Sequence, residues 1–334
     1  MDPLTQGAIG AALPLATRNR SQILMACGLG FLAGMAPDLD ILIKSSEDPL
    51  LVLEFHRQFT HSLIFIPVGG GVLAGIFYIV FSRWRSIGFL RIWLFCSLGY
   101  GTHGLLDMAT SYGTLIFWPF DDTRYALSII SIVDPLFTLP ILGMVLAGIL
   151  QSNGKWGRAA ILWGAIYLTA GVWQHNSAMI KARDLAEKRG HSPTRLTVKP
   201  TFGNIILWRS VYEDGGHFYI DAIRPRPCST TFSGTSITKL DKIRDFSWLE
   251  TNSTQAMDIN RFGRLSQGYL AKMGDQSNQI VDVRYGFIPT EISALWSIRL
   301  NPNAKANEHA IYETDRSRAR NLLPVLIRMI LDCP

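Results

Sequence analysis

The sequence predicts an α-helical membrane domain of five to six apolar helices followed by a small α+β soluble domain, and three observations carry that expectation. The chain has 334 residues, of which 48% are hydrophobic and only 17% charged, a rich apolar content for a soluble protein. Charged residues are confined to short clusters before about residue 178 and scattered at ordinary density after it. Apolar runs in the first part approach the roughly 20 residues that a spanning helix needs, whereas strand-like alternation begins near Arg195. The expected organisation is a membrane domain over 1–177, a linker over 178–194 and a soluble domain over 195–334.

Taken in order, residues 7–16 are short for a span and read as a re-entrant or marginal first helix. The run 23–43 is long enough and carries Pro37-Asp38-Leu39-Asp40 near its end. Residues 63–81 hold no charge, 92–108 contain His103 and Asp107, 129–150 contain Asp134, and 159–173 close the set. In the second part strands are expected at 195–199, 204–212 and 216–222, the last two joined at Glu213-Asp214-Gly215 as a hairpin. A helix is expected at 253–273, strands at 279–285 and 294–300, and an amphipathic helix at 316–331.

Basic residues cluster on alternate loops. Arg18 and Arg20, then Arg83, Arg85 and Arg91, then Lys155 and Arg158 mark one side, cytoplasmic by the positive-inside rule. Loops 44–61 and 111–127 fall on the other side, where an extracytoplasmic C-terminal domain is expected, although Lys181, Arg183, Lys188 and Arg189 weigh the other way. The net charge of +6 forms no basic stripe interleaved with aromatics, so no direct nucleic-acid binding is expected. Met1-Asp-Pro-Leu-Thr-Gln lacks the basic start of a cleaved signal peptide. Cys27, Cys96, Cys228 and Cys333 form no Cys-x-x-Cys pair; the first two lie in apolar runs, and the last two could pair only in an oxidising compartment. Gly28-Leu-Gly30-Phe-Leu-Ala33 fits a dinucleotide fingerprint as a string, but it lacks a preceding strand and serves helix packing instead. A Gly-x-Ser-x-Gly elbow is absent.

The polar residues of the membrane part converge in depth. Asp38 and Asp40 end one segment, His56 and His61 precede the next, His103 and Asp107 share a helix face one turn apart, and Asp134 opens a further segment from the same side. Intramembrane carboxylates need partners, and a divalent cation satisfies several of them together with imidazoles. The expected metal ligands are Asp38, His56, His61, His103 and Asp107, with Asp40 or Asp134 orienting a water or taking its proton. Nitrogen and oxygen donors suit zinc first, or manganese or iron, as one ion or two. For several of these residues a structural role competes: Asp134 before Pro135 also suits a helix cap, and His103 with Asp107 an intrahelical pair. Arg57, Asp121, Asp122 and Arg124 read as solvated loop charges, with Arg57 and Arg124 placed to hold a phosphate. Trp118-Pro119-Phe120 reads as an interfacial anchor.

These motifs resemble a known family. Met1-Asp-Pro-Leu-Thr, Ala36-Pro-Asp-Leu-Asp40, His56-Arg-Gln-Phe-Thr-His-Ser62, Gly101-Thr-His-Gly-Leu-Leu-Asp107 and Thr110-Ser-Tyr-Gly-Thr-Leu-Ile-Phe-Trp-Pro119 are similar in order and spacing to the membrane-bound metal-dependent hydrolases, YdjM-like proteins of the bacterial inner membrane. The resemblance covers roughly the first 150 residues and implies metal-dependent hydrolase activity at that membrane, without naming a substrate. Gln58 stands where the family usually has Gly, and Gln6 where some relatives have His.

The resulting expectation is a multi-pass inner-membrane hydrolase in which a metal-activated water attacks an ester. A site at headgroup level favours the phosphoester of an amphiphilic substrate. A non-enzymatic membrane regulator with a structural metal is the alternative. An ion transporter is weaker, because polar groups do not continue through the bilayer. His175, His191, His217 and His309 lack ligand spacing, and the soluble domain offers a surface for a protein partner without a catalytic motif of its own.

Overall fold

Asp2 starts the first helix, α1 (Pro3–Ala16), by accepting the Thr5 N–H at 3.0 Å, while Pro3 occupies a first-turn position that needs no amide hydrogen. In this computed structural model the described residues are 1–17, 22–81, 88–274 and 277–332. They divide into a helical unit, Met1–Ile43 with Phe55–Val172 and Phe202–Asn204, and a C-terminal unit, Lys44–Glu54 with Trp173–Thr201 and Ile205–Pro334.

In the helical unit α2 (Ile23–Met35) continues into a 3-10 turn over Ala36–Leu42. After a short helix, α3 (Leu51–Phe55), which belongs to the C-terminal unit as far as Glu54, come two 3-10 turns at Phe59–His61 and Leu63–Phe65, then α4 (Ile66–Val80), α5 (Phe89–Ala109), α6 (Pro135–Leu150) and α7 (Lys155–Lys188), of which α7 passes into the C-terminal unit after Val172. Among the described residues two segments, not five to six, are long and apolar enough to span a bilayer: Ile23–Leu42, 20 residues, and Leu63–Val80, 18 residues. The apolar runs overcounted for physical reasons. Residues 129–134 precede α6 as non-helical chain, which leaves that helix 16 residues, and α1 has only 14. The 21-residue α5 carries Arg91, His103 and Asp107, which dilute its hydropathy. The expected linker 178–194 is helical as far as Lys188.

Small residues hold α1, α2 and α5 together. A side chain at Gly10 would meet the Gly30 carbonyl oxygen at 2.6 Å, one at Gly34 the Gln6 carbonyl oxygen at 2.5 Å, and one at Gly99 would overlap the Gly30 carbonyl. The Gly30 and Gly34 pair therefore serves backbone approach, as helices packed in hydrocarbon require. On α4 the large residues Val68, Val72, Ile76 and Ile79 face outward while Gly69, Gly70, Ala74 and Phe77 are buried. Arg18, Arg20, Arg83 and Arg85, which carried part of the topology expectation, lie outside the described residues.

The C-terminal unit contains two four-stranded antiparallel sheets, each in sequential order. The first joins β1 (Arg195–Pro200), β2 (Trp208–Asp214), β3 (His217–Arg224) and β4 (Thr230–Thr238). The second joins β5 (Leu270–Lys272), β6 (Gln279–Asp282), β7 (Ser297–Arg299) and β8 (Ile311–Glu313). The expected hairpin is present: Asp214 pairs with His217 across Gly215 and Gly216, both at positive φ, as a two-residue turn requires. In chain order α8 (Lys242–Asp245) and α9 (Thr254–Leu265) come between β4 and β5, and α10 (Ala319–Leu331) is the last described element. The helix expected over 253–273 stops at Leu265 because Gln267 and Gly268 take positive φ and turn the chain into β5.

Residues 44–54 precede the histidine motif yet pack in this unit. Leu50 is fully buried with Phe246, Ile259, Phe262 and Ile298, and Arg261 binds Asp48 at 2.8 Å and Glu54 at 2.9 Å. Cys228 is disulfide-bonded; Cys333, whose pairing with it the sequence left open, lies outside the described residues.

Candidate metal centre

The centre is assembled where the 3-10 turn ending α2, the turn Phe59–His61 and the C-terminal half of α5 meet. Gly104 makes that meeting close, since a Cβ there would overlap the His61 carbonyl oxygen. Spacing of four residues on α5 then puts His103 and Asp107 on one face, toward His61.

Four side chains converge. The Nε2 atoms of His61 and His103 lie 3.0 Å apart. Asp38 Oδ1 is 3.4 Å from the first and 3.3 Å from the second, and Asp107 Oδ2 is 3.3 Å and 3.7 Å from them. One donor atom from each of the four lies within 4.8 Å of every other. His61, His103 and Asp107 are buried, while Asp38 keeps 19% of its side chain exposed.

Hydrogen bonds on the far side of each ring fix which nitrogen is a donor. His103 Nδ1 faces the Gly34 carbonyl oxygen at 2.6 Å, which only accepts, so the hydrogen is on Nδ1. Thr60 Oγ1 gives its hydrogen to Asp40 Oδ2 at 2.7 Å and so accepts from His61 Nδ1 at 2.9 Å. In the neutral rings both Nε2 lone pairs therefore point at each other and at two carboxylate oxygens. Asp107 Oδ2, buried, has no aligned hydrogen bond among the described residues and lies 3.0 Å from Arg57 Nε as well as facing the two imidazoles. Four electron-pair donors facing one point, with no hydrogen assigned between them, fit a divalent cation: two carboxylates balance its charge and two neutral imidazoles complete four donors.

The surrounding contacts orient these donors. Asp40 is buried and fully engaged: Oδ1 takes His56 Nδ1 at 2.6 Å, and Oδ2 takes Thr60, the Arg57 N–H at 3.1 Å and His61 Nδ1 at 3.3 Å. On Asp107, Oδ1 accepts Gln6 Nε2 at 2.9 Å and the Met1 amino group. Arg57 adopts φ 63°, a strained conformation for a non-glycine residue, and is buried; its Nη1 donates to Thr110 Oγ1 at 3.0 Å.

The structure thus brings together four of the five expected ligands. His56 is outside that set, with Asp38 and Asp40 in an adjacent group of three donors. Asp134 is elsewhere: its carboxylate caps α6 at Phe137 N, 3.3 Å, and accepts the Tyr167 hydroxyl at 2.9 Å. Arg57, expected as a solvated charge or a phosphate ligand, is buried against Asp107. Arg124 donates to the His56 carbonyl oxygen at 3.1 Å. Thr60, Thr110 and the Gly34 carbonyl were not among the expected site groups; Thr60 and Thr110 each lie inside a family-like motif, whereas the Gly34 carbonyl carried no signal. His309 and His191 are satisfied in the C-terminal unit by Asp258 and Tyr212.

The model of a family described as YdjM inner membrane protein matches residues 1–178, more than half of the chain. The chain belongs to the YdjM inner membrane protein family. All four converging residues fall in the matched part. The curated relative named Inner membrane protein YbcI, of Escherichia coli (strain K12), is 33% identical over 98 residues, which cover 29% of this chain and 54% of that protein. The match thus spans about half the length of the curated relative. No solved structure matches the chain. Family and relative agree on a bacterial inner-membrane protein associated with the bilayer.

An orienting role for Asp40 has a measurable consequence. Asp40→Asn keeps the shape but weakens the hold on His61 Nδ1, and metal affinity should fall about 10–100-fold, the usual loss when such a partner is removed. Competition titration against a chelator checks this; an unchanged affinity would show that Asp40 does not support the ligand.

Proposed function

We propose that this protein is a membrane-bound, metal-dependent hydrolase acting on a phosphoester of an amphiphilic substrate, with zinc as the favoured ion. The observation that carries the reading is the convergence of His61 and His103 Nε2 with Asp38 and Asp107 carboxylate oxygens in a region otherwise poor in charge. When bound there, a divalent cation supplies a nucleophilic water at neutral pH by lowering its pKa. The chain's own residues do the remainder. Asp40 and the Gly34 carbonyl hold the two imidazoles in register, and Arg57 holds Asp107 and balances its charge. His56, 30% exposed and fixed through Nδ1 by Asp40, offers its other nitrogen to exchange a proton with substrate or solvent.

Leu39, Ile41, Leu42, Leu63 and Ile64 support the amphiphilic substrate, because they are exposed and lie next to the donors in the chain. A lipid-like molecule lying along them would bring its headgroup ester to the level of Asp38. A second reading, a regulator with a structural ion, draws on the count of four protein donors, since structural zinc sites use four and catalytic ones keep a position open.

One experiment separates the two. Cobalt-substituted protein should show a coordinated water that exchanges with solvent and turnover of lipid phosphoesters that His56→Gln reduces. Closed tetrahedral cobalt with no turnover of any phosphoester would leave the regulatory reading.

We also propose a multi-pass topology with the C-terminal unit outside the cytoplasm. Lys155 and Arg158 before the long α7, and the disulfide at Cys228, which persists in oxidising compartments, support it. A C-terminal reporter active only in the cytoplasm would overturn that orientation.

A further inference from the structure

The last helix of the C-terminal unit presents two apolar stripes, of which its own unit covers one. Leu326 is buried, and Leu322, Met329 and Ile330 pack with it against the cluster of Leu207, Ala222 and Ile288. Arg224 fastens that side by donating from Nη1 to the Met329 and Ile330 carbonyl oxygens at 3.3 and 3.1 Å. The next stripe around the helix is Leu323, Ile327 and Leu331, spaced by four residues so that they share a face. These three are 38%, 44% and 68% exposed. Apolar residues so placed, outside a domain's own core, mark an interaction surface.

The charges say what covers it. Arg316 and Arg318 lead into the helix and Arg320 and Arg328 lie within it, against Asp315 before and Asp332 after. Arg320 and Arg328 are both exposed. A second copy docked antiparallel through the same stripe would bring only one Asp332 against Arg316, Arg318 and Arg320, too few carboxylates to match them, and a neutral apolar partner would leave them unmatched. An anionic, apolar-cored surface satisfies both parts. Guanidinium groups pair bidentately with phosphates, and an apolar stripe bordered by basic residues is the pattern of a helix lying in the plane of a membrane interface.

We infer that α10 is an interfacial helix that lies on an anionic phospholipid surface, with Leu323, Ile327 and Leu331 at the acyl boundary and Arg316, Arg318 and Arg320 among the headgroup phosphates. The surface belongs to a protein of an inner-membrane family, so a bilayer is available to it. The inference is independent of the proposed metal chemistry.

The full chain is reconstituted in vesicles of phosphatidylethanolamine and phosphatidylglycerol, with an environment-sensitive fluorophore attached through Ile327→Cys; Cys27 and Cys96 are buried. Emission should shift to the blue and be quenched by lipid-bound nitroxide rather than by aqueous iodide. Quenching by nitroxide should fall severalfold when Arg316, Arg318 and Arg320 are replaced by Gln, or when all lipid is phosphatidylcholine. A label quenched by iodide and untouched by nitroxide overturns the inference. So does a label shielded from both, with emission that follows protein density, because that is a contact between copies. Equal nitroxide quenching in zwitterionic vesicles and in the arginine variant overturns the anionic recognition.

Discussion

His103→Ala should leave the purified protein without its divalent ion. The imidazole contributes one of four converging donors, and its loss also strands Asp107 Oδ2 and the Gly34 carbonyl, which face it at 3.7 and 2.6 Å. Loss of an orienting partner alone costs about 10–100-fold in affinity, so loss of the donor itself should exceed that range. Elemental analysis after gel filtration is the readout, with helicity by circular dichroism as the folding control. A folded variant with full metal content would remove His103 from the site.

The second large effect is at a residue with no functional group. At Gly104 a Cβ would overlap the His61 carbonyl oxygen and stand 3.1 Å from Ile116 Cδ1. Gly104→Ala must therefore push the His61 turn from α5, at about 1–3 kcal/mol for overpacking, and separate the two Nε2 atoms. Metal binding should collapse along with thermal stability. Gly101, one turn earlier on the same helix, has only Ile66 side-chain atoms from 3.4 Å. Gly101→Ala should leave both properties intact. Equal behaviour of the two alanines would contradict the close approach as the device that builds the site.

This contrast shows what could be read from the chain and what could not. His103 and Asp107 were legible because a helix turns a spacing of four into a shared face. Asp38 and His61 were legible because their motifs end one apolar run and open the next. Depth was the wrong guide for Asp134, which opens a segment from the expected side but is turned away to Tyr167, a partner that no local pattern predicts. His56 and His61 could not be ranked in sequence, since the order depends on the left-handed Arg57 and on a 3-10 turn over Phe59–His61. Arg57 looked like a loop charge because its burial comes entirely from tertiary packing.

In the C-terminal unit the hairpin at Gly215 and Gly216 was readable from its turn. β4, rich in Ser and Thr and mostly exposed, and the three-residue β8 offered no apolar alternation to detect. The place of residues 44–54 in that unit rests on Leu50 and on the Arg261 ion pairs, contacts across more than 200 positions.

The proposed site depends on His61, His103, Asp38 and Asp107 together holding a divalent cation. X-ray absorption at the zinc edge of the purified protein tests this most directly. One ion per chain is expected, in a mixed shell of two imidazole nitrogens and carboxylate oxygens at about 2.0–2.2 Å, with no sulfur. Sulfur in the shell, an all-oxygen hydrated ion, or no ion after loading would contradict it.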